Sequence, residues 1–278
     1  MENKPTLSFC STCMNRANTL QATLVDNLDC LSKYSHQVEL CLVNFIKDKE
    51  GLELHQWISN LGQHPNLKYY VSVDLNFWHA SIAKNTSQLN ATGNYLINLD
   101  CDNYIDAKTI ERLLNLSPAA LSNTIYSGFR GRIQKKWRPW KKKNLRLRYK
   151  FVRNNDGYDG SFGNIGLPKS LFHKIGGYDQ SLPPMGGQDA DLLKRAVTLR
   201  PTSQLLQIPV ANMPLQNKKT DGLVNTENPQ ANWNRYNEIT TQKSQWALET
   251  DTLTANKNCA IGVNSYNGYN IDPSLLTI

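Results

Sequence analysis

Apolar and polar positions follow two alternating periods over the first hundred residues. Short, mostly apolar stretches typical of buried strands occur at 6–12, 37–45, 67–74 and 94–100. Between them, the stretches 18–34, 51–61 and 77–92 have helical spacing, as in Leu20, Leu24, Leu28 and Leu31, and Gly93 ends the third helix. This alternation predicts an α/β fold with a doubly wound, mostly parallel sheet flanked by helices.

The second half of the chain is less regular. The pattern predicts a helix at 107–116, a strand at 122–129 and helices that begin near Lys169 and Gln188. We expect one domain over residues 1–245, in two halves (1–103 and 104–245). Residues 246–278 are polar and predicted to form an unstructured tail or a wrap over the domain surface.

Composition excludes several classes of protein. Apolar residues make up 40% of the 278 residues and charged residues 19%, which is typical of a globular chain. The longest apolar run has four residues, too few to span a membrane, and the N-terminus lacks the apolar segment of a secretion signal. We therefore expect a cytoplasmic protein with reduced cysteines and no zinc site at Cys10 and Cys13.

The positive charge is concentrated in one insert. Residues 130–153 contain twelve Lys and Arg and no acidic residue, which leaves the rest of the chain with 19 basic and 23 acidic residues. Three interpretations stay open: a solvated loop, peripheral attachment to an anionic membrane helped by Trp137 and Trp140, or binding of a polyanionic acceptor. We do not expect a nucleic-acid partner.

Asp100 and Asp102 directly follow the fourth predicted strand. In doubly wound sheets, ligands bind beyond the carboxyl ends of the strands. Mg²⁺ and Mn²⁺ accept one or two protein carboxylates together with water and phosphate oxygens. The D-x-D pair therefore indicates a site for a metal–diphosphate complex, the alternative being a solvated acidic turn.

A second acidic group precedes the helix predicted near Gln188. Gly186 and Gly187 allow close backbone approach, and Asp189 and Asp191 suit a helix N-terminus. The local sequence leaves open whether these carboxylates cap the helix or belong to a site.

Three stretches in the same order resemble nucleotide-sugar glycosyltransferases of the GT-A fold. The opening resembles their first strand and N-R turn (STCMNRANTLQATL), and the next stretch resembles the helix, strand and D-x-D of family-2 enzymes (HASIAKNTSQLNATGNYLINLDCDN). The third is similar to the acceptor region of the β-1,4-galactosyltransferases (FGNIGLPKSLFHKIGGYDQSLPPMGGQDADLLKR). The resemblance covers roughly residues 6–235.

The resemblance implies a role for each matching residue. Asp100 and Asp102 would hold Mn²⁺ or Mg²⁺, and Asp189 would be the general base. The implied donor-binding residues are Thr12, Asn15, Arg16, Asn44, Lys84, Asp100, Asp102 and Asn164. The implied acceptor-binding residues are Met185, Gly187, Gln188 and Asp191.

The sequence departs from these families at several positions. Asn44, or Asp48 a little later, stands where an Asp contacts the nucleotide base. Met185 replaces a Trp that stacks on the acceptor sugar, and Gln188 replaces a Glu. Residues 212–217 contain amide side chains but not the His that is the third metal ligand, so we expect water or an amide oxygen to complete the metal site.

The resemblance thus implies a metal-assisted, inverting glycosyltransferase. It would use a UDP-sugar, with galactose or an N-acetylhexosamine as the first choice, and a saccharide acceptor that is free or lipid-linked. The location would be the cytoplasm or the inner face of the membrane, in polysaccharide biosynthesis. One alternative is a catalytically inactive module that binds anionic membrane or a polyanion through residues 130–153. Another, a nucleotidyltransferase, is disfavoured because no Gly-rich phosphate loop follows the first strand.

Overall fold

The computed structural model describes residues 5–34, 36–130, 163–212 and 229–276. The first half of the chain alternates strands and helices as the sequence predicts. The elements are β1 (Leu7–Cys13), α1 (Ala17–Leu31), β2 (Val38–Phe45), α2 (Lys49–Asn60), β3 (Leu67–Ser72), α3 (Ala80–Asn90) and β4 (Tyr95–Asn98). Every residue of β1, β2 and β4 is buried, as expected for strands covered on both faces.

The second half contains more strands than the sequence pattern predicts. The elements are β5 (Asn103–Tyr104), α4 (Ala107–Leu114), α5 (Pro118–Ser122), β6 (Thr124–Arg130), β7 (Ile165–Pro168), α6 (Lys169–Lys174), α7 (Gln188–Leu199), β8 (Gln204–Asn212), α8 (Pro229–Glu249) and β9 (Tyr266–Asn267). The helices α4, α6 and α7 and the strand β6 lie where the pattern puts them. The strands β5, β7, β8 and β9 and the helices α5 and α8 were not predicted.

The strands form one α/β sheet in the order β5-β8-β6-β7-β4-β1-β2-β3-β9. The longer pairings, β1 with β2 and β4, β2 with β3, and β6 with β8, are parallel. The strand β7 is antiparallel to both β4 and β6, and the short strands β5 and β9 pair antiparallel at the two edges. The sheet is therefore mostly parallel, as predicted.

Helices cover both faces of this sheet. Leu24 of α1, Ile58 of α2 and Ile110 of α4 share one apolar core with residues from the strands. Phe172 of α6 and Leu192 of α7 belong to a second core. The parallel strands β1, β2, β3 and β4 carry their carboxyl ends to one edge, where the chain turns into α1, α2, α3 and the D-x-D.

The C-terminal segment packs on the domain. The helix α8 continues past residue 246, where the sequence predicts the tail to begin. The Thr240 hydroxyl of this helix donates a 2.8 Å hydrogen bond to the Gly186 carbonyl. Further on, the Asn256 side-chain amide donates to the carbonyls of Gly176 and Tyr178, and β9 extends the sheet beside β3.

The basic insert at 130–153 lies outside the described residues except for Arg130, the last residue of β6, so its predicted role stays a prediction. Among the described helices, none combines the length and apolar character that crossing a bilayer requires.

Candidate active site

The D-x-D forms a turn between β4 and β5 that α1 holds in place. The backbone N–H of Asn103 donates to the Asp100 carbonyl at 2.9 Å, which closes the turn. From α1, the Thr23 hydroxyl donates to the Cys101 carbonyl at 2.7 Å. The Asn27 side chain donates to the Asn103 carbonyl. The two carboxylates are thus carried on a backbone whose conformation is set by hydrogen bonds.

Asp100 is partly exposed and surrounded by donors. The Asn98 side-chain amide donates to Asp100 Oδ1 at 3.1 Å and also to the carbonyl of Gly163. Lys84 Nζ lies 3.2 Å from the same Asp100 oxygen. Because its side chain is 37% exposed, Asp100 can still reach a ligand from the open side of the cleft.

Asp102 lies deeper, with only 9% of its surface exposed. Burial, together with the nearby negative charge of Asp100, raises the pKa of Asp102 to about 6. The positive charge of Arg16, just before α1, acts in the opposite direction. A buried carboxylate next to a second one has an electrostatic cost that a bound divalent cation would remove.

Lys84 links the D-x-D to the second acidic motif. Its side chain is 7% exposed, and its Nζ lies 2.8 Å from Asp189 Oδ1 as well as 3.2 Å from Asp100 Oδ1. The Tyr178 ring lies under the ammonium at 5.5 Å. The fold therefore brings Asp100 of one motif and Asp189 of the other to the same ammonium at the carboxyl edge of the sheet.

Asp189 lies in the first turn of α7 and does not cap that helix through its side chain. The capping position is Gly187, in a left-handed conformation with φ of +78°, and no side chain caps this end. Burial raises the pKa of Asp189, although the neighbouring Lys84 ammonium opposes this effect. The Tyr178 hydroxyl is buried close to Asp189, but the two groups are not aligned for a hydrogen bond.

The loop before α7 is shaped by close contacts. A side chain at Gly187 would meet Thr240 of α8, and the Gln188 side chain, nearly buried, donates to the Pro183 carbonyl at 2.7 Å. The Ala80 backbone N–H donates to the Pro184 carbonyl and so ties the loop to the start of α3. Met185 is partly exposed on this loop.

Asp191 points away from this ammonium into a buried ion pair. Arg195 Nε donates to Asp191 Oδ2 at 2.8 Å, and both residues are at most 3% exposed. The Arg195 guanidinium also donates to the carbonyls of Ile175 and Gly177. This arrangement favours a structural role for Asp191 over the predicted acceptor contact.

The N-R turn lies next to the D-x-D. Thr12 is buried at the end of β1, and Asn15 has a φ of +54°, a left-handed conformation that Asn tolerates better than most residues. Arg16 follows, close enough to influence Asp102. The first N–H of α1, from Ala17, is taken by the Glu50 carboxylate at 2.8 Å.

The two candidates for a contact with the nucleotide base serve the connection between β2 and α2. Asn44 is fully buried, and its amide donates to the Gly51 carbonyl at 2.9 Å. The Asp48 carboxylate accepts from the Gly51 N–H and caps α2. These contacts favour a structural role for Asn44, so it is not part of the donor site proposed below.

Asn164 is also enclosed. It is 3% exposed, its carbonyl accepts from the Gly128 N–H at 2.7 Å, and it lines a small pocket with Leu99 and Tyr104. The preceding residue, Gly163, lies directly against the Asp100 carboxylate.

Two residues of the site, Asn98 and Tyr178, were not predicted from the sequence. Asn98 is a polar residue in an otherwise apolar buried strand, and that contrast was an available signal. Tyr178 occupies a glycine-rich turn in the sequence, where no local pattern indicates that its ring will lie under Lys84.

The donor set suits a cation that takes few protein ligands. Within the described ranges, no group of three or more His, Cys, Asp or Glu side chains surrounds a common point. Two carboxylates, with phosphate oxygens and water, nevertheless match the way Mg²⁺ and Mn²⁺ bind beside a nucleotide. The end of β8 lies close by, since Asn212 pairs with Asn103, while Gln216 and Asn217 lie outside the described residues.

Known structures share this fold. A mannosyltransferase from Pyrobaculum calidifontis, PcManGT, solved with GDP-Man and Mn²⁺, matches with a TM-score of 0.55 at 12% identity, over 90% of this chain and 73% of that one. GalNAc-T7, solved with UDP, GalNAc and Mn²⁺, matches with a TM-score of 0.54 at 14% identity, over 91% of this chain. This chain spans 56% of the length of GalNAc-T7. The fold is that of the GT-A glycosyltransferases.

The sequence identifies the family. The profile described as glycosyl transferase family 2 matches residues 8–176, more than half of the chain, and the chain therefore belongs to this family and is a glycosyltransferase. No curated protein gives a significant match. The family match ends before the loop that precedes α7, so the resemblance of this region to the β-1,4-galactosyltransferases stays a prediction.

Proposed function

We propose that this protein transfers a sugar from a nucleotide diphosphate donor to a saccharide hydroxyl, with inversion at the anomeric carbon. The observation that carries the proposal is the position of Lys84 Nζ, 3.2 Å from Asp100 and 2.8 Å from Asp189. It supports a single cleft in which a donor held near the D-x-D meets a base at the start of α7.

Asp100 and Asp102 would hold Mn²⁺ or Mg²⁺ on the diphosphate. A cation bound there would supply Lewis-acid stabilisation of the negative charge on the leaving nucleoside diphosphate. Arg16 and Lys84 are the cationic side chains beside this pair and suit the phosphates, while Thr12 and Asn15 belong to the turn that would border the nucleotide. PcManGT was solved with GDP-Man and GalNAc-T7 with UDP; a UDP-sugar, with galactose or an N-acetylhexosamine, is our first choice.

Asp189 would remove the proton from the acceptor hydroxyl as its oxygen forms a bond to the anomeric carbon and the bond from that carbon to the diphosphate breaks. A sugar hydroxyl is too weak an acid to ionise beforehand, and a positioned base contributes about 10²–10⁴ in rate. Burial raises the pKa of Asp189, which makes the carboxylate a stronger base. This effect opposes the stabilisation of the carboxylate by the helix N-terminus, about 0.3–1 kcal/mol.

The acceptor would lie against the loop before α7. Met185 is the exposed apolar side chain of that loop, while Gly187 and Gln188 set its backbone. The only basis for proposing a lipid-linked saccharide and contact with an anionic membrane is the positive charge of the basic insert at 130–153.

A thermal-shift screen of nucleotide sugars with and without Mn²⁺ tests this function. A ligand at a hundred times its Kd stabilises the folded state by about 2.7 kcal/mol, which for a chain of this length raises Tm by about 5–10 °C. We expect such a shift with one class of nucleotide sugar in Mn²⁺ and its loss in chelator. Absence of any Mn²⁺-dependent shift across UDP-, GDP- and other nucleotide sugars would contradict the proposal.

A further inference from the structure

Lys84 occupies an unusual position for a lysine. Its side chain is 7% exposed, yet its ammonium contacts carboxylates from two separate motifs, Asp100 and Asp189. Burying an ammonium is costly unless it is paired, and here the two carboxylates together supply the pairing. The contacts of Lys84 with Asp100 and Asp189 therefore belong to the interior of the cleft and differ from an exposed surface ion pair.

Hydrogen bonds hold the residues around this ammonium in place. Asn85, the next residue of α3, donates to the Tyr178 carbonyl at 2.9 Å and accepts from the Tyr178 N–H at 2.8 Å. These two bonds fix Tyr178, whose ring lies under Lys84 Nζ. The ammonium therefore lies between Asp100 and Asp189 with the Tyr178 ring beneath it.

The Lys84 ammonium lies where it would repel a metal ion bound at the D-x-D. An ammonium 3.2 Å from Asp100 Oδ1 repels a divalent cation that binds the same carboxylate, and the repulsion is strong in a partly buried site. When a cation takes Asp100, the ammonium keeps Asp189 as its protein partner. Metal binding and the surroundings of Asp189 are then linked, and such a link acts in both directions.

We propose that Lys84 is a positioning residue that couples occupancy of the metal–donor site to the placement of Asp189. Without a cation, the ammonium is shared between Asp100 and Asp189. With a cation on Asp100, it is held by Asp189 and the donor phosphates and fixes the carboxylate that faces the acceptor. This inference rests on the proposed function and adds a dependence of the base on the donor.

The proposal predicts that substitutions at Lys84 change Mn²⁺ affinity and turnover in opposite directions. Removing the ammonium should strengthen the binding of Mn²⁺ alone, because the repulsion disappears and two carboxylates lose their partner. The same change should slow turnover, because Asp189 loses its support. A lysine needed only for the fold would, when replaced, weaken metal binding and turnover together.

The experiment measures Mn²⁺ binding by isothermal titration, without donor, at pH 8, and donor turnover as nucleoside diphosphate release at saturating Mn²⁺. We expect Lys84→Met to bind Mn²⁺ at least tenfold more tightly and to lose at least 100-fold in kcat. Lys84→Arg keeps the charge and should bind Mn²⁺ within about threefold of wild type, with kcat at least tenfold above that of Lys84→Met. Lys49→Met, which removes an exposed lysine paired with Glu53, is the matched control and should change neither quantity.

Equal or weaker Mn²⁺ binding by Lys84→Met, or an unchanged kcat, would overturn the proposal. If Lys84→Met does not fold, Lys84→Gln, which retains an N–H donor for Asp189, takes its place with the same expected directions. Failure of the inference is distinct from failure of the proposed function. The proposed function fails if the wild-type protein shows no Mn²⁺-dependent nucleotide-sugar binding. The inference alone fails if the wild type binds and turns over the donor but Lys84→Met gives one of the contradicting results named above.

Discussion

Gly163 lies so close to Asp100 that a Cβ at position 163 would overlap the Asp100 carboxylate. Its carbonyl also accepts a hydrogen bond from the Asn98 side-chain amide, which donates to Asp100 as well. Gly163 has a φ of +74°, a conformation that other residues rarely adopt. The backbone that enters β7 therefore forms one wall of the predicted metal site.

Gly163→Ala should damage metal binding beyond its cost in stability. An alanine at positive φ costs about 1–2 kcal/mol, and here the new methyl group also displaces Asp100. We expect at least a tenfold loss of Mn²⁺ affinity in isothermal titration. Gly62→Ala is the matched control, because Gly62 has a φ of +76° and nothing within 4 Å of the added Cβ. Unchanged Mn²⁺ affinity in Gly163→Ala would contradict the role given to this wall.

Asp189→Asn should abolish transfer while donor binding stays within a few-fold of wild type. The amide oxygen can still accept from Lys84, but the side chain no longer takes a proton, so the loss should be about 10²–10⁴ in kcat. Product formation and donor Kd are measured in parallel. Asp179→Asn is a suitable control, since the Asp179 carboxylate accepts from the backbone N–H and the hydroxyl of Ser181. Activity equal to wild type in Asp189→Asn would remove the base assignment.

The raised pKa of Asp102 predicts a pH dependence in the metal-free protein. With a pKa of about 6 in the folded state against an ordinary value of 3.8, Asp102 keeps a proton that the unfolded chain releases between these values. Its contribution to stability is complete below pH 3.8 and is lost as the pH rises through 6. It amounts to at most about 3 kcal/mol, since one pKa unit corresponds to about 1.4 kcal/mol.

The measurement is the unfolding free energy of metal-free wild type and Asp102→Asn between pH 4 and 8. The difference between the two proteins should change by up to this amount across pH 4–6 and be flat above pH 7. Mn²⁺ affinity should rise over the same range, because the cation needs the deprotonated carboxylate. A difference that is independent of pH would show that the pKa of Asp102 is not raised.

Asp191→Asn should destabilise the protein because it leaves the buried Arg195 charge without its partner. Breaking such a pair costs about 3–5 kcal/mol, which corresponds to a fall in Tm of about 6–20 °C. Glu53→Gln, which breaks the exposed pair with Lys49, should change stability by less than about 1 kcal/mol. A normal Tm with a raised acceptor KM in Asp191→Asn would instead support the predicted role of Asp191 in binding the acceptor.

Local pattern was sufficient for the first half of the fold and for the ends of its strands. Strands buried on both faces, such as β1 and β2, appear in the sequence as short, mostly apolar stretches, and the leucines of α1 lie on one face of the helix. The placement of Asp100 and Asp102 followed from the same pattern, because the carboxyl ends of parallel strands meet at one edge.

The missed elements lack such a pattern. The helix α8 is polar around most of its surface, β7 has four residues, and β8 contains Pro209. The contact of Lys84 with Asp189 depends on where α3 and α7 lie on the sheet. Asn44 is buried beside the start of α2, where its amide donates to the Gly51 carbonyl. Tertiary packing decides both, and spacing along the chain does not encode it.

Donor turnover in the presence and absence of Mn²⁺, compared between wild type and Asp102→Asn, tests the central claim most directly. We predict that nucleoside diphosphate release by the wild-type protein stops in chelator and returns with Mn²⁺. In Asp102→Asn, release should fall at least 100-fold at saturating Mn²⁺ while the protein remains folded. Release by the wild type that continues unchanged in chelator, or a variant as fast as wild type, would contradict a metal-dependent transfer site at the D-x-D.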